Sequence, residues 1–117
     1  MTITNYSRIN SLMSLTDNLV EHLPQVSLGA RDGVEVTIPK KSNPLSGYRL
    51  VISDFNTCTL GNVRAVELYS GIGKKSALKT MIQLNENGTA EIYGRPLFVT
   101  PKMLLKRVEN LLKSVKV

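Results

Sequence analysis

The sequence has no tryptophan, one cysteine and one histidine, and its aromatic rings amount to four Tyr and two Phe among 117 residues. Each scarcity excludes something. A lone Cys58 cannot form an intrachain disulfide and suits a reducing compartment. A lone His22 leaves a histidine-based metal site, or a Cys58–His22 nucleophile pair, without the partners it would need. No window of about 18 residues is free of charge, and the N-terminus has no unbroken apolar stretch, so neither a membrane span nor a signal peptide is expected. The expectation is a protein of the cytoplasm, of a cell or of an infected host, with no membrane contact. Rings are also too few for the stacking platforms of single-strand binders; Tyr69 and Tyr93 could share one sheet face, and a packing role is expected for them.

Acids are scarce as well, nine Asp and Glu against fifteen Lys and Arg, which leaves a net charge of +6. Asp54, Glu67, Glu86 and Glu91 show no paired spacing of the kind general acid-base chemistry uses. The expectation is a non-enzyme without cofactor or metal. The positive balance points to polyanionic partners, and nucleic acid comes first among them.

Length and a 42% apolar content fit one domain, 1–117, burying roughly two-thirds of the surface of its unfolded chain. Over residues 5–23 the side chains Ile9, Leu12, Met13, Leu19, Val20 and Leu23 recur at helical intervals, with Pro24 as the stop and Ser14 and Thr16 as points of a potential break. A sheet is expected over about 25–99. Asp32-Gly33 between two apolar runs reads as a hairpin turn, "KSNPLSG" as an irregular connection and "YRLVISDF" as a central strand. Asn87-Gly88 reads as a second hairpin turn. A helix over about 101–115 follows, with Thr100 as cap, Pro101 in the first position and Leu104, Val108, Leu111 and Val115 on one face. The fold class is α+β: one antiparallel sheet of about five to six strands with an N-terminal and a C-terminal helix packed on it.

Two basic features stand out. The first is "YSGIGKKSALKT", residues 69–80. A nucleotide-hydrolysing phosphate loop is excluded, because Leu68 stands where its first glycine would be and Lys75 where its hydroxyl would be. Through Gly71, Ile72, Gly73, Lys75, Ser76 and Ala77 the stretch resembles the helix-hairpin-helix motif of DNA repair and recombination proteins, over about 20 residues. Thr80 and Ser70 depart from that pattern. The resemblance implies that the amides of Gly71 and Gly73 contact a DNA phosphate without reading sequence, with Lys74 and Lys75 adding charge. The other reading joins two antiparallel strands by a lysine-tipped loop, and the hairpin at Gly88, which needs a strand just before it, favours this one.

The second feature is the C-terminal helix, where Lys102, Lys106, Lys113 and Lys116 fall within about 80° of one another, interrupted only by Glu109. The expected site is therefore Gly71, Gly73, Lys74, Lys75, Lys79, Lys102, Lys106 and Lys113, binding the backbone of duplex DNA or structured RNA without sequence preference. The alternative is a protein partner, an inhibitor or adaptor role through a sheet edge or a helix face, and a homodimer fits either reading.

Overall fold

In a computed structural model the chain is described over residues 2–27, 32–40, 42–72, 77–94 and 99–115, by backbone alone at Ile3 and 43–46. Its elements are β1 (Thr2–Ile3), α1 (Tyr6–His22), β2 (Val26–Ser27), β3 (Asp32–Lys40), β4 (Asn43–Thr57), β5 (Gly61–Ser70), β6 (Ala77–Asn85), β7 (Ala90–Tyr93) and α2 (Pro101–Lys113). The strands form one antiparallel sheet in the order β1-β7-β6-β5-β4-β3-β2. Both outermost strands are two residues long. The α+β plan, one antiparallel sheet with a helix at each end of the chain, is the one expected.

Both helices begin at capping side chains, α2 at the Thr100 expected from the sequence. Asn5 Oδ1 accepts from the Arg8 amide at 3.3 Å, and Thr100 Oγ1 accepts from the Met103 amide at 3.2 Å. Helix α1 ends at Leu23, which is already extended, as a residue preceding proline must be. Thr16 does not break the helix. Its hydroxyl donates to the Leu12 carbonyl at 2.8 Å inside the same turn and accepts from Arg64, so its polarity is spent in the interior.

Three local expectations need correction. Asp32 and Gly33 are the first residues of β3, paired with Ser27 and Val26, so the turn of that hairpin falls before them, outside the described residues. The β-branched residues that follow extend pairing back through the dipeptide. The segment expected to be irregular joins β4 at Asn43, where Lys40 pairs with Asn43 and the register shifts between Pro39 and Lys40. Residues 63–70 and 77–84 belong to strands β5 and β6, paired from Val63↔Asn85 to Ser70↔Ala77, which excludes the helix-hairpin-helix arrangement. The hairpin at Gly88 joins β6 to β7 as expected, with Gly88 at positive φ.

Registers sort the strand residues onto two faces. One carries Val34 and Val36 of β3, Leu50 and Ile52 of β4, Val66 and Leu68 of β5, Ile82 and Leu84 of β6, and Ala90 and Ile92 of β7. These close into a core with Ile9, Leu12 and Leu19 of α1 and Leu104, Leu105, Val108 and Leu112 of α2. Each fully buried Leu or Ile there contributes about 1.5–3 kcal/mol. The other face carries Glu35, Arg49, Val51, Ser53, Ala65, Glu67, Met81, Gln83, Glu91 and Tyr93, and neither helix lies on it.

The helices divide the covered face between them. Helix α1 lies over the β4–β5 turn end of the strands, where Thr16 and Asp17 meet Arg64. Helix α2 lies toward the other end, where β5 finishes at Ser70, and Arg107 and Leu111 line a cleft with Tyr48, Leu68 and Lys79. That end is pinned by a close approach of backbones. Gly47 has φ +146° and a Cβ there would sit 2.2 Å from the Ile38 carbonyl oxygen, so only glycine fits. The Gly47 carbonyl in turn accepts from the Gly71 amide at 2.8 Å.

Candidate functional site

Most acids of the chain are engaged in holding the fold. On the covered face, Arg64 places Nε 2.7 Å from Asp54 Oδ1 and Nη2 3.0 Å from Asp54 Oδ2, while Nη1 reaches Asp17 and Thr16. The Asp54 bonds, foremost, and those to Asp17 hold the guanidinium pKa above its ordinary value against the burial that opposes it. Between the helices, buried Glu109 accepts from Arg8 at 2.8 Å and from Lys113 at 3.0 Å. Burial pushes the Glu109 carboxyl up, and the bonds from Arg8 and Lys113 outweigh it, leaving the pKa below the usual carboxylate value.

The uncovered face has its own network. Arg49 lies 4.0 Å over the Tyr69 ring and 3.4 Å from Glu35, and the Tyr69 hydroxyl donates to Glu67 at 3.0 Å. The Tyr93 hydroxyl donates to Glu91, a bond that raises the phenol pKa. Gln83, Asn85 and Thr89 form a chain of side-chain hydrogen bonds at 2.9 and 3.0 Å. A cleft of about 400 Å³ near the β4–β5 turn is lined by Asp54, Arg64, Asn62 and Glu86, where Arg64 pairs with Asp54 and the Glu86 carboxylate accepts from the Asn62 backbone amide.

The end of the sheet under α2 differs. A cleft of about 300 Å³ lies between α2 and strands β4, β5 and β6. Leu68 is buried at its base, Tyr48, Val99 and Leu111 are half-buried in its walls, and Lys79, Arg107, Asn110 and Ser114 are exposed around it. The Lys79 ammonium stands 6.0 Å from the centre of the Tyr48 ring. Lys79 and Arg107, like Lys102 and Lys106, have no carboxylate partner among the described residues. Two uncompensated cations over an apolar floor form a place where an organic anion gains both charge and burial.

Of the expected site residues, Gly73, Lys74 and Lys75 lie outside the described residues. Gly71 follows β5 directly, and its amide is spent on Gly47. Lys102, Lys106 and Lys113 are exposed on α2, and Lys113 is tied to Glu109. Lys79 joins the α2 side of the molecule through Arg107. At about 100° per residue, however, Arg107 is turned about 100–140° away from the three lysines, so the cleft and the lysine stripe occupy opposite flanks of one exposed helix surface. Sequence reasoning missed Arg107 and Tyr48. Arg107 sits one turn before the apolar Leu111, a position that the helical wheel marks as bordering the sheet. The pairing of Tyr48 with Lys79 depends on strand register and left no local signal.

No family model, characterised protein or solved structure matches the chain. The class it defines is therefore drawn from its own geometry: an α+β sheet with one face bare of helices, where Glu35, Glu67 and Glu91 stand around buried Val51, Ser53, Ala65 and Gln83, and the other covered by helices, α2 showing lysines on its exposed side. Among the described residues no helix is long and apolar enough to cross a membrane, and no cluster of metal-ligating side chains occurs.

Proposed function

We propose that the chain is a non-catalytic nucleic-acid-binding protein that holds the phosphate backbone along α2 without reading sequence. The observation that carries this reading is the gathering of Lys79, Lys102, Lys106 and Arg107 on the α2 side, none with a carboxylate partner among the described residues, while the acids at Asp17, Asp54 and Glu109 hold cations inside the fold. Exposed cations with no internal partner are free to replace counterions on a phosphate chain. Lys102 to Lys106 advances about 6 Å along the helix, close to the step between successive phosphates.

Fluorescence anisotropy of labelled DNA and RNA at a series of salt concentrations tests the reading. The expected result is a linear fall of log K with log salt, and a slope made shallower by roughly two in the double variant Lys102→Glu, Lys106→Glu. Absence of binding to every nucleic acid at low salt overturns it.

A second reading rests on the sheet edge. On the edge away from β4, the described residues pair β3 only with Val26 and Ser27 of β2, and a groove along Glu35, Val36, Thr37, Ile38 and Pro39 is closed by Leu23, Ser114 and Val115. An extended peptide adding to this edge would make the chain a protein-binding module. Edge Pro39 and Lys40 are the residues that sheets use to discourage such pairing, which places this reading second.

A further inference from the structure

We propose that the cleft between α2 and strands β4, β5 and β6 receives one unpaired nucleotide, and that the protein therefore prefers single-stranded segments to continuous duplex. The inference rests on the nucleic-acid reading above and adds to it a site of defined shape.

Polarity changes in the right order from the base of the cleft to its rim. Leu68 is 6% exposed at the base, followed by half-buried Tyr48, Val99 and Leu111, and then by exposed Lys79, Arg107, Asn110 and Ser114. A nucleotide has the matching order, a flat base with apolar faces at one end and a phosphate at the other. Its phosphate meets Lys79 and Arg107, while the Asn110 amide and the Ser114 hydroxyl supply donors and acceptors for a base edge or sugar. An anion with only a hydrocarbon body would leave both polar groups facing an apolar chain.

Size selects the form of the nucleic acid. At about 300 Å³ the cleft stands at the lower end of small-molecule sites and admits one unit of a strand, not a double helix. A base stacked and paired in a duplex reaches such a pocket only by being turned out, which costs unpairing energy that an unpaired base does not spend. Arg107 is the sequence neighbour of Lys106, so a strand leaving the cleft passes directly to the lysine stripe on the other flank of α2. The sequence alone favoured duplex because exposed aromatic rings are few. One half-buried tyrosine beside two cations supplies a local alternative to a stacking platform.

The test compares one labelled sequence as single strand, as blunt duplex and as duplex with a single-stranded overhang, at matched salt. The single strand and the overhang are expected to bind about tenfold more tightly than the blunt duplex, the gain of seating one base. Asn110→Trp, on the exposed rim, fills the cleft without changing charge and should bring the three affinities within about twofold of one another. Lys79→Gln is a second, less bulky variant, and it should weaken the single strand more than the duplex. The proposal is overturned if blunt duplex binds as tightly as single strand, or if folded Asn110→Trp and Lys79→Gln proteins both keep the full preference. Equal, salt-dependent binding of all three ligands removes the cleft proposal alone, whereas no binding of any ligand removes the backbone reading with it.

Discussion

The two faces of the sheet share the same strands, residue by residue in alternation, and have been put to opposite uses. On the covered face, Leu50 pairs with Leu68 and Ile52 with Val66 under the helices. On the bare face, the neighbours one residue along are Arg49 with Tyr69 and Val51 with Glu67. The bare face carries Glu35, Glu67 and Glu91 against Arg49, and its groups hydrogen-bond among themselves. Lys102, Lys106, Arg107 and Lys113 lie instead on α2, across the sheet from those acids. Four cations against one acid are thus grouped on α2, a local excess that a composition of +6 does not reveal by itself.

Breaking the comparison at its strongest point means emptying the covered face. Leu50→Ala, at a position with 0% exposure, should cost about 3 kcal/mol by urea denaturation, whereas Tyr93→Ala on the bare face, 46% exposed, should cost under about 0.5 kcal/mol. Comparable losses would mean that Tyr93, at the edge of the helix-free face, is held as tightly as the core. Next in size comes Arg64→Met, which leaves Asp54, Asp17 and Thr16 without their cation. Both carboxylates are more than half exposed, so a loss of about 2 kcal/mol is expected, less than for a fully buried pair.

The buried carboxylate between the helices sharpens the comparison through pH. Glu109 has a folded pKa below the usual glutamate value, so the stability it contributes is present above that ordinary value and is lost as pH falls through the depressed folded one. Denaturation midpoints measured from neutral pH downward should decline across the acid carboxylate range, and Glu109→Gln should flatten that decline. The same variant frees Lys113 and should slightly strengthen polyanion binding, as removing the one acid from the basic side requires. The smallest effect belongs to the bare face. The Tyr93 phenol should titrate above its ordinary value in alkaline absorbance measurements and return toward that value in Glu91→Gln.

The sequence carried most of the fold, because its helices are bounded by local chemistry. Asn5, Pro24, Thr100 and Pro101 each act within one turn of where they stand. Strand limits were less legible, since Asp32-Gly33 has the composition of a turn but is held extended by partners on β2 and β4. The glycine-lysine stretch was ambiguous for a related reason. Leu78 and Ile82 satisfy both helical and extended spacing, and only pairing with β5 decides between them. Within the candidate site, the lysines of α2 could be placed by helical angle alone. Their relation to Lys79, Tyr48 and Arg107 could not, because it depends on where α2 crosses the strands.

The proposal's central claim is that polyanions are held on the α2 side and not on the helix-free face of the sheet. Salt-dependent nucleic-acid affinity measured in parallel for Lys106→Glu, Arg107→Glu and, on the bare face, Arg49→Glu tests this most directly. A shallower salt slope and weaker binding for both α2 variants, with the Arg49 variant close to the parent protein, is the predicted result. The largest loss in Arg49→Glu, with both α2 variants unchanged, would contradict it.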